Sequence, residues 1–447
     1  MRFIFAGAVA LVLSLAAPVA AEPAPEAVAV YRHATLIDGT GAKGRPDMAI
    51  LVRGERIAAV EPSAALAAPS GATEVDVASL YVLPGLINTH EHLATPPDRA
   101  LAEAEMKKDL YGGVTAVRDM ADDLRAVAEL ARAARVGEIA GPDIAFAALM
   151  AGPEFFEDPR THAVTQGVEP GRTPWMQAIG PDTDLRQAVA EARGTGAVAI
   201  KLYADLPGAT VADITREAHR QGELVWAHAA VFPASPREVI EAGVDAVSHV
   251  CMLAYQVQPM PRAYHNRAPV DAVRLAPGDD PVMQGLFDEM KRRGTVLDAT
   301  LRVYAELDAA HRAHPGGAAP YCTPELAEQL TAQAYRTGVV ISAGTDGFTE
   351  AADPWPSLQD ELERLQDKAH LPAVAVLRAA TFNGALAMHQ EAQMGSVAVG
   401  KLANLVFTRQ DPSADVHALR TVTLTVKRGK AFWRKDYAPN DKQGRGR

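Results

Sequence analysis

The residues of this chain best suited to chemistry are four histidines, a lysine and an aspartate, each at or near the end of an apolar run. The first run is Pro84-Gly85-Leu86-Ile87-Asn88-Thr89-His90-Glu91-His92. Side chains alternate along a strand, so His90 and His92 point to the same side, and two imidazoles on one side suit chelation of a divalent cation. A bare His-x-His is as often two unrelated histidines at a strand end; the Pro-Gly-Leu-Ile lead-in shifts the balance toward chelation. Ala199-Ile200-Lys201-Leu202 sets a lysine inside an apolar strand, where it is costly to bury unless paired or chemically modified. Val225-Trp226-Ala227-His228 and Val247-Ser248-His249-Val250 bring two more histidines, and Ser342-Ala343-Gly344-Thr345-Asp346-Gly347 brings an aspartate. Each alone is weak, because a lone strand-end histidine is usually structural. Together they are six ligand-type residues in the order expected around one rim.

The elements that would position them follow from the texture of the chain. After residue 80, apolar β-type runs alternate with amphipathic helical stretches. The strand candidates are 81–88, 114–118, 143–149, 197–203, 224–229, 246–250, 295–300 and 339–343. Helical patterns at 99–110, 185–193, 211–221, 236–242 and 324–336 lie between them, and Gly112, Gly222 and Gly243 stand where helices end. Eight βα repeats predict an α/β fold, a (β/α)8 TIM-like barrel over 81–392, whose active site forms at the C-terminal ends of its strands. Short β-like runs punctuated by turn glycines flank it: 29–37, 48–52, 56–60 and 73–77 before, and 395–399, 402–407 and 421–433 after. They predict a small composite β-sandwich built from both termini, 22–80 and 393–437, with a flexible tail at 438–447.

Arg2, the apolar run 3–17 and small residues at Val19 and Ala21 describe a signal peptide, 1–21, cleaved after Ala21. The run is short for a membrane span, so no stable membrane insertion is expected after cleavage, and the expected location is periplasmic or secreted. The cysteines are Cys251 and Cys322. Export permits one bridge, but the sequence does not show that the two meet; Cys251 follows an apolar strand and is expected as a buried free thiol. The formal charge, 44 − 55 = −11, and the lack of a basic helix or aromatic-basic stripe make nucleic acid a poor partner. Hydrophobic residues at 48% and charged residues at 22% exclude global disorder.

The order His-x-His, Lys, His, His, Asp on strands one, four, five, six and eight resembles the amidohydrolase superfamily, two-metal subtype. The resemblance covers nearly all of the mature chain, because the flanking β-segments look like the small β-sandwich of those enzymes. Gly400-Lys401-Leu402-Ala403-Asn404-Leu405 is similar to the family's closing segment, with Asn404 where Asp is common. Asn88 also stands where many members have Asp and is expected to orient the loop or a ligand. Within the superfamily the chain looks most like the imidazolonepropionase-like and Xaa-Pro dipeptidase-like branch, through Val239-Ile240-Glu241-Ala242-Gly243-Val244-Asp245 ahead of Ser248-His249.

The resemblance implies two divalent metal ions, zinc first, with manganese, cobalt or iron able to substitute. His90, His92 and Asp346 would bind the more buried ion, and His228 and His249 the more exposed one. Lys201 would bridge both as its N-carboxylated form, an anion where an ammonium would repel the metals. It further implies attack by a metal-bridging hydroxide, with Asp346 as the catalytic residue that passes a proton to the leaving group. The implied function is hydrolysis of an amide or peptide-like C–N bond in a dipeptide or N-acyl amino acid. Ala230 stands where dipeptidases of this branch tend to carry tyrosine, which leaves the dipeptide class open. A lactonase, esterase or cyclic-amide hydrolase on the same metals is an alternative. A non-catalytic periplasmic binding protein is a further one, against which the intact six-residue set argues.

Tyr203, His162, Tyr255 and Arg302 are the substrate-binding candidates. Tyr203 lies two positions past Lys201, and the others lie on loops after strands three, six and seven. Arg118 and Asp119 are expected as a supporting ion pair, and Trp226 as barrel core. The expected partner is a small-molecule substrate; a homo-oligomer remains open.

Overall fold

The computed structural model describes residues 26–316, 319–347 and 353–439. The expected signal peptide and all but two residues of the expected tail lie outside the described residues.

Eight parallel strands form the barrel: β1 (Leu86–Glu91), β2 (Val114–Asp119), β3 (Asp143–Ala151), β4 (Ala199–Leu202), β5 (Leu224–His228), β6 (Ala246–Ser248), β7 (Val296–Asp298) and β8 (Ile341–Ser342). Each pairs in parallel with the next. Helices clothe the outside, so most strand residues are buried on both faces, which is why the strands read as apolar runs rather than alternating ones. β8 is short, and the seam is closed by residues just beyond it. Thr89 N donates to Ala343 O and Asp346 N donates to His90 O, both at 2.9 Å.

Helix boundaries follow local chemistry. Asp98 caps Arg99–Tyr111, Asp184 caps Leu185–Gly194, and Ser235 with Glu238 forms a capping box on Pro236–Glu241. Gly222 and Gly338 end their helices in the left-handed conformation at φ 84° and 93°. Near the base of the barrel, Trp226 is fully buried; its indole N–H donates to Ala387 O at 3.1 Å and the Arg118 guanidinium lies 4.6 Å above its ring.

The two termini build one mostly antiparallel sheet of eight strands, in the order Lys430–Trp433, Val422–Lys427, Leu405–Thr408, Tyr81–Pro84, Val28–Leu36, Arg45–Arg53, Arg56–Pro62, with Thr73–Asp76 beside Val28–Leu36. The Arg56–Pro62 edge bonds back to the approach to Leu405–Thr408, through Ile57 N to Lys401 O at 2.9 Å and Ala403 N to Glu55 O at 2.8 Å. The sheet therefore curls over a core in which Tyr31 and Phe407 meet.

Three expectations change. The run 81–88 is two strands, because Tyr81–Pro84 pairs antiparallel with Leu405–Thr408 and belongs to the terminal sheet. Gly85 makes the break, and a Cβ there would lie 2.1 Å from Thr115 Oγ1. The run 395–399 forms no strand; it turns at Gly395, φ 83°, and Val397 N is held by Asp38 O. Cys251 is not a free thiol. It is bridged to Cys322 across a sequence separation of 71, with the Cα atoms 6.2 Å apart, tying the segment after β6 to the start of helix Pro324–Thr337. Among the described residues no helix is long and apolar enough to cross a membrane.

Candidate active site

A cavity of ≈ 350 Å³ opens at the C-terminal ends of the strands and is lined by all six of His90, His92, Lys201, His228, His249 and Asp346. β1 delivers the first histidine and the residue after it the second, β4 the lysine, and β5 the third histidine. His249 and Asp346 stand just past β6 and β8. The backbone is forced where it turns out of the barrel. His249, Thr300 and Asp346 take φ of 72°, 51° and 51°, a region that costs a non-glycine residue roughly 1–2 kcal/mol. At Gly344 a side chain is excluded outright, since a Cβ would lie 2.3 Å from Asp298 Oδ1 and 2.6 Å from His90 Cβ.

A second layer orients the rings. His90 Nδ1 meets Asp298 Oδ2 at 2.7 Å, His92 Nδ1 meets Asp122 Oδ1 at 2.8 Å, and His249 Nδ1 meets Thr300 Oγ1 at 2.9 Å. A carboxylate on Nδ1 leaves Nε2 as the donor atom for a metal. The His90 and His92 Nε2 atoms lie 3.5 and 3.4 Å from Asp346 Oδ1. Ligand atoms of His90, His249 and Asp346 lie within 4.8 Å of one another. Asp298 is the hub of this layer. It also accepts from Ser248 Oγ at 3.0 Å and from the Arg118 guanidinium at 3.3 Å.

The electrostatics fit cation binding. Burial pushes His249 down to about 3 and lowers His90 and His228, so these imidazoles are neutral, the form that ligates a metal. Burial acts against ionised Asp346, but the rings around it, including His92, whose imidazole Asp122 and Asp346 raise well above its ordinary value against burial, hold the carboxyl well below its ordinary range. Burial, and next the charge of Arg118, bring Lys201 down to about 7. Its Nζ is fully buried with no hydrogen-bond partner, and His228 Nδ1 is likewise unpartnered. An orphaned amine and an orphaned imidazole nitrogen, beside the lowered imidazoles of His90, His228 and His249 and an ionised aspartate, are a donor set that two divalent cations and a carboxylated lysine would satisfy.

The substrate-binding candidates divide. Tyr203 lines the cavity, with its ring 4.0 Å from that of His228 and 4.6 Å from that of Phe155. Burial pushes its phenol well up, which keeps it a hydrogen-bond donor. The other three do not reach the cavity. His162 is exposed on the short helix Pro159–Ala163. Tyr255 is fully buried behind the wall and its hydroxyl donates to Ala268 O at 2.7 Å. Arg302 turns away toward Glu306 and Asp360 on an outer groove. Arg118 pairs with Asp298 rather than with Asp119, whose carboxylate accepts from Leu93 N at 3.0 Å. Asn88 does orient the rim, accepting from His90 N and Thr345 N, both at 3.2 Å, and donating to Glu91.

Sequence reasoning passed over Asp298 and Asp122, and also Tyr264, Arg267, Tyr304 and Tyr321 in the walls. Asp298 carried a usable signal: a carboxylate inside the apolar run 295–300 is as anomalous as the lysine at 201. The wall residues lie on loops and helix starts with no periodicity to expose them.

The model of the amidohydrolase family matches residues 81–432. The chain belongs to the amidohydrolase family. It is similar to the imidazolonepropionase of Micrococcus luteus, 26% identical over 389 residues that cover 80% of this chain and 86% of that protein. Among solved structures it resembles a Xaa-Pro dipeptidase with bound methionine (TM-score 0.71, 20% identity, covering 91% of this chain and 100% of the other). It resembles the ochratoxinase of A. niger to the same degree (TM-score 0.71, 21% identity, covering 94% and 99%). These structural likenesses establish the barrel-and-sheet architecture of this amidohydrolase.

Proposed function

We propose that this amidohydrolase is an exported, binuclear zinc enzyme that hydrolyses an amide or peptide-like C–N bond in a small molecule of the dipeptide or N-acyl amino acid class. The observation that carries the reading is the convergence of six ligand-type residues on one cavity around a buried, unpartnered Lys201 amine. His90, His92 and Asp346 would hold one cation and His228 and His249 the other, with carboxylated Lys201 between them. Bound there, the cations supply a Lewis acid for the scissile carbonyl and make water more acidic.

The chain's own groups do the rest. Lys201, brought down to about 7, is a free amine often enough to take up carbon dioxide: an N–C bond forms and one proton leaves. Asp346, ionised and central, is placed to accept a proton from the attacking water and return it to the departing nitrogen. Tyr203 donates a hydrogen bond to a substrate oxygen. Apolar lining from Leu149, Met176, Met252 and Leu307 excludes bulk water and strengthens these interactions. The similarity to an imidazolonepropionase supports a C–N bond as the target, and the Cys251–Cys322 bridge supports an oxidising compartment.

Elemental analysis followed by a substrate panel tests the reading. About two zinc ions per chain, with N-acyl amino acids or dipeptides cleaved faster than lactones, esters and hydantoin-like rings, is the expected result. Metal below about one per chain, with no turnover after zinc or manganese reconstitution, would refute it. A clear preference for lactones would move the activity to C–O bonds.

A further inference from the structure

The cavity wall opposite the strand ends carries two cations, Arg160 and Arg267, and Asp346 is the single acid among the described residues that line it. The two arginines differ in what they are committed to. Arg160 is held by Asp158, with Nη2 at 2.6 Å and Nε at 3.1 Å from the carboxylate oxygens. Arg267 has no carboxylate within ion-pair reach among the described residues. Its guanidinium instead lies against two aromatic rings, 3.8 Å from the centre of Tyr264 and 5.0 Å from that of Tyr321. Stacking of this kind uses the face of the guanidinium and leaves the N–H donors in its plane free.

The stack is fixed from both sides. Tyr264 lies on His228 with the rings 5.8 Å apart and inclined by only 21°, and its backbone N–H donates to Asp205 Oδ1 at 2.7 Å. The residue after Arg267 is pinned by Tyr255, whose hydroxyl donates to Ala268 O, and Val270 N donates to Tyr321 O at 2.9 Å. Tyr321 in turn adjoins Cys322, half of the disulfide, and its hydroxyl meets that of Tyr304 at 3.3 Å. A half-buried guanidinium with unused donors, held in an aromatic wall, is a preorganised anion receptor that has no bonded anionic partner among the described residues.

We propose that Arg267 is the specificity-determining residue that reads a carboxylate on the substrate, so that the preferred substrates are N-acylated amino acids bearing a free carboxylate beside an apolar or aromatic side chain. The planar fork of arginine matches a carboxylate in two parallel hydrogen bonds, and Tyr264, Tyr304 and Tyr321 supply the apolar surface around it. The inference rests on the proposed C–N hydrolase reading for what happens after binding, but not for the binding itself.

The test uses the full-length oxidised protein and two ligands that differ only in the terminal group, a carboxylate in N-acetyl-phenylalanine and a neutral amide in N-acetyl-phenylalaninamide. Calorimetric titration should give a Kd for the acid lower than that for the amide by about 10- to 100-fold. Arg267→Ala should erase that ratio and Arg267→Lys should retain part of it, with metal content unchanged in both. In turnover assays the loss should fall on KM for acids and leave kcat within about threefold. Equal affinity of the wild type for acid and amide would overturn the proposal. So would an unchanged ratio in Arg267→Ala, or loss of the ratio in Arg160→Ala alone. If zinc-loaded wild type cleaves no C–N substrate while the ratio and its dependence on Arg267 persist, the hydrolase reading fails and the carboxylate receptor stands.

Discussion

Two of the buried lysines, Lys427 and Lys201, have surroundings that differ in a way that separates architecture from chemistry. Lys427, where the terminal sheet meets the barrel, donates to Ala134 O at 3.0 Å and Gly141 O at 2.9 Å and lies 3.0 Å from the Asp143 carboxylate. Lys201, at the barrel mouth, has an amine with no hydrogen-bond partner among the described residues. Burial lowers the pKa of both. The fold satisfies the first with fixed partners and so uses it as a fastener. It leaves the second unsatisfied, at a cost in stability, because a buried amine without partners is a reagent waiting for a ligand.

The contrast can be broken most decisively at the mouth. Lys201→Ala should lower turnover by at least about 10³-fold and remove one of the two metals, with partial rescue by short carboxylic acids. An unchanged metal count would take away its bridging role. Compared as metal-free proteins, the variant should match or exceed the wild type in thermal stability, since an unpaired buried amine has gone. Asp346→Asn should keep its metal and lose about 10³-fold in kcat; loss of metal with turnover intact would contradict the proton-transfer role. Lys427→Met should show the converse, a loss of about 2–4 kcal/mol in unfolding free energy, read by urea denaturation, with kcat per folded molecule unchanged. A stable Lys427→Met variant would mean that its three partners contribute little.

The smallest effect concerns pH. Only a neutral amine takes up carbon dioxide, and with Lys201 near 7 the neutral fraction rises from about one tenth at pH 6 to about nine tenths at pH 8. Zinc uptake should therefore gain a bicarbonate dependence, several-fold stronger at pH 8 than at pH 6, that Lys201→Ala lacks. A dependence that survives in Lys201→Ala would belong to another group.

The barrel was legible in the sequence because its strands are buried on both faces and each is followed by a helix that ends at glycine or a polar cap. The six rim residues were legible for the same reason, as polar interruptions of apolar runs. Asp298 obeyed that rule and was passed over. What stayed hidden depends on three-dimensional proximity. Nothing local to Cys251 shows that Cys322, 71 residues away, lies beside it. Tyr255 and Arg302 follow the correct strands, but side-chain direction after a strand end is set by loops, and both point away from the cavity. Arg267 lies in a loop with no periodicity and is recognisable only by the tyrosines that converge on it.

The seam of the barrel has a consequence for biosynthesis. The strand that presents His90 begins at Leu86, whose predecessor Gly85 is hydrogen-bonded to Asn404, and Tyr81–Pro84 pairs with Leu405–Thr408. One side of this strand can pair early, with Val114–Asp119, but its start cannot be tied to Asn404 until more than 300 further residues have left the ribosome. The other edge of the strand stays open until the residues near Ala343 and Asp346 arrive, so closure of the barrel is a late, non-local step.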